Sequence, residues 1–146
     1  MKHPQTYAKE LLDELSPERL ESIQKYACCA FVLMWSLGIE PDHDIDAILT
    51  VNDLIKAGAI EKDCTVKWAD AIRHLTGREA TVEFKDITTL KGIKERTPVR
   101  FDYKGKCHWV GVERGLVCFN PLEYSVCVDC GQPVTMRKLI IKGDTE

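Results

Sequence analysis

The chain has 146 residues, enough for one domain with a proper core, and its 45% hydrophobic and 29% charged composition is that of an ordinary globular protein. A formal net charge of −3 supplies no basic field to draw in nucleic acid or anionic lipid. The opening residues are charged and amphipathic rather than an apolar signal core, and the most apolar stretch, Tyr26 to Leu37, is too short to span a bilayer. The expectation is a cytoplasmic protein with no membrane or nucleic-acid partner, whose seven cysteines are mostly free thiols filling core space.

Helical patterning fills the first half. Residues 6 to 15 place Tyr7, Leu11, Leu12 and Leu15 on one face. Ser16-Pro17-Glu18 is an N-cap with proline at the first helical position. The pattern then runs through Leu20 and Ile23 into YACCAFVLMWSLG, apolar all round and therefore a central buried helix ended by Gly38, with a boundary between Gln24 and Cys28. A third helix fits Asp44 to Ala57, its opening aspartates favourable to the helix dipole, and a fourth fits Val66 to Leu75.

The period then changes to two. Val82 and Phe84 alternate with charged neighbours, Val99 to Tyr103 alternates cleanly, and Lys104-Gly105-Lys106 is a turn. Cys107 to Val112 and Leu116 to Phe119 are strands, Asn120-Pro121 breaks the run, and Met136 to Ile141 is the last strand. Helices first and antiparallel strands after them predict one α+β domain over 1–146, a buried cysteine-bearing helix packed on a C-terminal antiparallel sheet.

Glu113-Arg114-Gly115 fits a three-residue hairpin loop with glycine at its positive-φ position. That register opposes Val112 to Leu116, Val110 to Cys118 and His108 to Asn120, so the last two share a face. A two-residue Arg114-Gly115 turn shifts the register by one and separates them.

A cysteine nucleophile needs a lowered pKa, donors for the oxyanion, and an imidazole held in one tautomer. Cys28 or Cys29 near the start of a buried helix, Gln24 one turn earlier, His108 on a strand and Asn120 opposite it are the residues of that kind. Taken singly, each has an ordinary explanation: cysteines in apolar helices usually pack, and a lone strand histidine is usually a surface or satisfied residue.

The segment CHWVGVERGLVCFNPLEYS resembles the His-bearing hydrophobic strand, glycine turn, strand and Asp/Asn-Pro pattern of papain-like cysteine peptidases, nearest to the compact bacteriocin-processing (double-glycine) type. QKYACCAFVLMWSLG resembles their Gln, Cys and apolar helix. The resemblance implies Cys28 or Cys29 as nucleophile, His108 as base, Asn120 as its orienter and Gln24 as oxyanion donor. It also implies a peptide or protein as substrate and no cofactor or metal. His108 and Asn120 are then expected on the face turned toward the cysteine helix, with one of the two thiols in hydrogen-bond reach of the ring.

Cys127-Val128-Asp129-Cys130-Gly131 is a CxxC knuckle that supplies two of the four ligands a structural zinc takes, with Cys107 or Cys118 as candidates to complete it. Plain turn cysteines are the simpler reading. The leading functional expectation is thus a cysteine-dependent hydrolase. Its rivals are a papain-like module that binds or inhibits without catalysis, and a zinc-stabilised structural protein.

Overall fold

The computed structural model describes residues 1–6 and 15–143. The helix expected over 6–15 lies outside the described residues apart from its two ends. Ser16 caps α1 (Pro17–Tyr26), its hydroxyl accepting the Arg19 backbone N–H at 3.2 Å, and Pro17 occupies the first turn, where no N–H is needed. Ala27 interrupts the helix, and α2 (Cys28–Ser36) restarts within the expected boundary. Every residue from Cys28 to Trp35 is buried, as an all-round apolar helix must be. Two further helices, α3 (Asp44–Lys56) and α4 (Trp68–Thr76), complete the helical half. The Asp44 carboxylate also accepts the backbone N–H groups of Lys2 (2.6 Å) and His3 (3.2 Å), fastening the first residues to the start of α3.

The second half forms an antiparallel sheet from β1 (Ala80–Asp86), β2 (Thr97–Tyr103), β3 (Lys106–Glu113), β4 (Leu116–Phe119) and β5 (Gln132–Ile141), in the order β1-β5-β2-β3-β4. The protein is therefore α+β, helices before strands. A short helix, α5 (Val126–Cys130), stands where turn cysteines were expected, and β5 begins four residues earlier than the alternation from Met136 indicated. The sequence window is too short and too mixed for a one-turn helix to leave a periodic signal there. No helix of the described residues is long and apolar enough to cross a membrane.

The sheet separates two cores. Helix α2 packs on the face of Trp109, Gly111 and Phe119, where Trp35 stacks on Phe119 with centroids 6.0 Å apart. Gly111 permits this approach, since a Cβ there would stand 2.4 Å from the Trp35 ring. The opposite face carries Val99, Phe101, Val110 and Val112 against Cys127 of α5.

The β3–β4 hairpin departs from its expected register. Arg114 (φ 54°) and Gly115 (φ 74°) form a two-residue turn, pairing Glu113 with Leu116 and Val112 with Val117. Positive φ at both turn positions matches the strand twist, which a three-residue loop does only by adding a bulge. The bulge appears anyway, one step inward: Gly111 pairs with Phe119, leaving Cys118 as the extra residue. That insertion restores the parity the shorter turn removed, so His108 and Asn120 still lie on one face.

Candidate active site

His108 lies near the start of β3, opposite Phe101, and is almost fully buried. Cross-strand partners share a face, so its ring belongs with Phe101 and Val110 rather than with the α2 side. This corrects the expectation that the hairpin turns the imidazole toward the cysteine helix: strand alternation assigns that side to Cys107 and Trp109 instead.

His108 Nε2 is 2.7 Å from Asn120 Oδ1, and the same oxygen accepts the Leu122 backbone N–H at 3.0 Å. An amide N–H needs an oxygen, so the Leu122 bond identifies which end of the Asn120 side chain faces inward. The His108 hydrogen then resides on Nε2, and Nδ1 keeps the lone pair. Burial pushes the His108 pKa below its ordinary 6.5, and the Asn120 bond partly opposes that shift. Asn120 is itself held from behind. The His3 ring donates Nδ1–H to the Asn120 carbonyl at 3.0 Å, and Gln5 N–H donates to the Pro121 carbonyl at 3.1 Å. His3 showed no partner in the sequence, because this contact spans the whole chain.

Cys28 is the first residue of α2. Cys28 and Trp109, the residue after His108, line the same cleft, and nearby backbone N–H groups, that of Trp109 foremost, favour the Cys28 thiolate. Strand β4 pairs only with Gly111, Val112 and Glu113, and Cys28 comes against the part of β3 that β4 leaves uncovered. Burial outweighs these donors and pushes the thiol up to about 11. Cys29, within the α2 core, is pushed well above the ordinary thiol value by burial, and the charge of Arg137 pulls the other way. No hydrogen bond joins either sulfur to the His108 ring among the described residues. Gln24 is half-buried in the last turn of α1, its side chain in no hydrogen bond among the described residues. The site thus brings Cys28 to the backbone beside His108 and pairs His108 with Asn120, while Gln24 remains outside both contacts.

A cleft of about 440 Å³ opens at the N-terminus of α2, lined among others by Cys28, Cys29, Cys107, Trp68, Trp109 and Arg137. Trp68 and Trp109 pack with centroids 5.6 Å apart. Sequence reasoning did not select Arg137, and it named Cys107 only as a candidate zinc ligand. The one available signal was a cation at an inward position of the alternating last strand. Cys127 is buried on α5 and Cys130 exposed, and no group of three or more His, Cys, Asp or Glu among the described residues is arranged to hold a metal ion.

No family model, curated protein or solved structure matches the chain. The functional reading therefore rests on the residues themselves.

Proposed function

We propose that the chain is a cysteine-dependent hydrolase of the papain-like type, acting on an amide or thioester carbonyl in a peptide or protein. Cys28 is the nucleophile, His108 the base and Asn120 the residue that orients it. The observation that carries this reading is the shared Asn120 oxygen: it commits the His108 hydrogen to Nε2 and leaves Nδ1 basic, on the residue next to Trp109, which lines the Cys28 cleft. Cys28 is preferred to Cys29 because it opens α2, where backbone N–H groups have no partner within the helix, while Cys29 packs in the α2 core. Those groups are also the kind of donor that stabilises an oxyanion.

In the reaction, the Cys28 sulfur attacks the carbonyl carbon, the C=O electron pair moves onto oxygen and the thiol proton passes to His108 Nδ1. That transfer requires the imidazole to move from the sheet face away from α2 to the cleft side. Collapse of this intermediate expels the amine or thiol, which takes the proton from His108. Water, deprotonated by the same nitrogen, then attacks the thioester, releasing the acid and restoring the thiol. Since burial disfavours the thiolate, the resting pair is neutral and the proton moves only as attack occurs.

The raised Cys28 pKa and the missing sulfur–imidazole hydrogen bond favour a second reading, a papain-like module that binds a partner without catalysis. Hydrolysis of short acyl-amide and acyl-thioester substrates separates the two. Cys28→Ala and His108→Ala should each lower turnover at least about 100-fold, with Cys29→Ala retaining it. If wild-type protein cleaves neither class and Cys28 alkylation ignores His108→Ala, the binding reading stands instead.

A further inference from the structure

Arg137 projects from β5 into the cleft that holds Cys28 and Cys29. Its guanidinium carbon lies 3.7 Å from the Phe84 ring centroid, 4.9 Å from that of Trp109 and 5.8 Å from that of Trp68. Among the described residues only Nη1 makes hydrogen bonds, to Thr135 Oγ1 at 2.9 Å and the Met136 carbonyl at 3.3 Å. Nε is buried without a partner, and no carboxylate of the described residues forms an ion pair with Arg137. A buried guanidinium donor left unpaired is costly, and aromatic faces compensate the charge but not the N–H group. A planar anion meets both needs once the side chain turns Nε toward the cleft, because carboxylate and guanidinium pair through two parallel hydrogen bonds.

We propose that Arg137 is the carboxylate-binding residue of this cleft, so that the substrate carries a carboxylate close to the carbonyl that Cys28 attacks. The proposal rests on the hydrolase reading for the identity of the attacked group, and names the substrate class of the same site. The aromatic walls formed by Phe84, Trp68 and Trp109 add a preference for a flat or apolar group beside the charge.

The test uses the full chain and two alkylating reagents that differ in charge, iodoacetate and iodoacetamide, with each cysteine read by peptide mass spectrometry. In both, the sulfur forms a C–S bond to the methylene carbon and iodide leaves. Exposed Cys118 is the internal reference. The iodoacetate-to-iodoacetamide rate ratio at Cys28 should exceed that at Cys118 by roughly tenfold, and Arg137→Gln should return it to the Cys118 value. Benzoate should protect Cys28 of the wild-type protein from iodoacetate while benzamide does not, an arm that needs no variant to fold. Equal ratios at Cys28 and Cys118, with no protection by benzoate, overturn the assignment. If the charge preference is lost but reactivity still depends on His108, Arg137 alone has been misassigned. A charge preference that persists while His108→Ala changes nothing sinks the hydrolase reading alone.

Discussion

The Asn120 side-chain oxygen, 2.7 Å from His108 Nε2, also accepts the Leu122 backbone N–H at 3.0 Å, so one acceptor sets both the imidazole tautomer and the turn after β4. Asn120→Ala removes the partner of two buried donors, which costs roughly 1–3 kcal/mol of stability by urea denaturation. Under the hydrolase reading it also lowers turnover by roughly 10- to 100-fold, since the ring loses its orientation. Unchanged activity in a folded Asn120→Ala protein would remove Asn120 from the mechanism.

The pH profile of turnover should show one acidic limb below the ordinary imidazole value of 6.5, because burial holds the His108 pKa down. The base stays unprotonated until the pH drops through that lowered value, and activity is lost below it. Asn120→Asp keeps the acceptor and adds a charge beside the ring, so its acidic limb should move to higher pH. A limb that fails to move argues that a different group titrates.

Stability should fall as the pH rises from 9 toward 11. Burial raises the Cys28 and Cys64 thiols from 9.0 to about 11, so between those values the unfolded chain loses protons the folded one retains. The folded state is then favoured fully below the ordinary thiol value and progressively less up to the raised one. Cys28→Ala should flatten this slope, read from chemical denaturation at several pH values. An equal slope in the variant would place the raised thiols elsewhere.

Gly111→Ala should destabilise the protein by about 1–3 kcal/mol, as overpacking does, because the new methyl meets the Trp35 ring. Trp35 joins α2 to β4 through Phe119, so the same change should broaden the cysteine labelling pattern. A midpoint in urea equal to the wild type would show that the helix can shift freely on the sheet.

Arg114→Asn should be neutral to stabilising. Arg114 sits at φ 54°, and asparagine tolerates the left-handed region better than arginine does. The expected gain is a few tenths of a kcal/mol in thermal or urea unfolding, and a clear loss would point to a side-chain role for Arg114.

The helices and strands that follow one strong period were readable in the sequence. Helix α3 was placed from Asp44 by its hydrophobic repeat, and β4 was bounded at Leu116 and Phe119 by the Gly115 turn before it and the Asn120-Pro121 break after it. The one-turn helix α5 was not, since five residues cannot establish a period. The pairing of His108 with Asn120 was legible for a reason that proved incomplete. The turn is one residue shorter than expected, and the bulge at Cys118 restores the shared face. Local sequence sets turn preference, but a bulge is selected by how both strands meet their cores.

What the chain determined by itself was therefore local: an α+β order of elements, a buried helix beginning with two cysteines, and a histidine strand returning to an asparagine. Tertiary structure alone decided that Cys28 and Trp109 line one cleft, that the imidazole lies on the sheet face away from α2, and that Arg137 enters the cysteine cleft. Those relationships join residues from α2, β3 and β5, far apart along the chain. Periodicity reports which side of an element is buried. It does not report which neighbour buries it, because that choice is made by packing among all the elements at once.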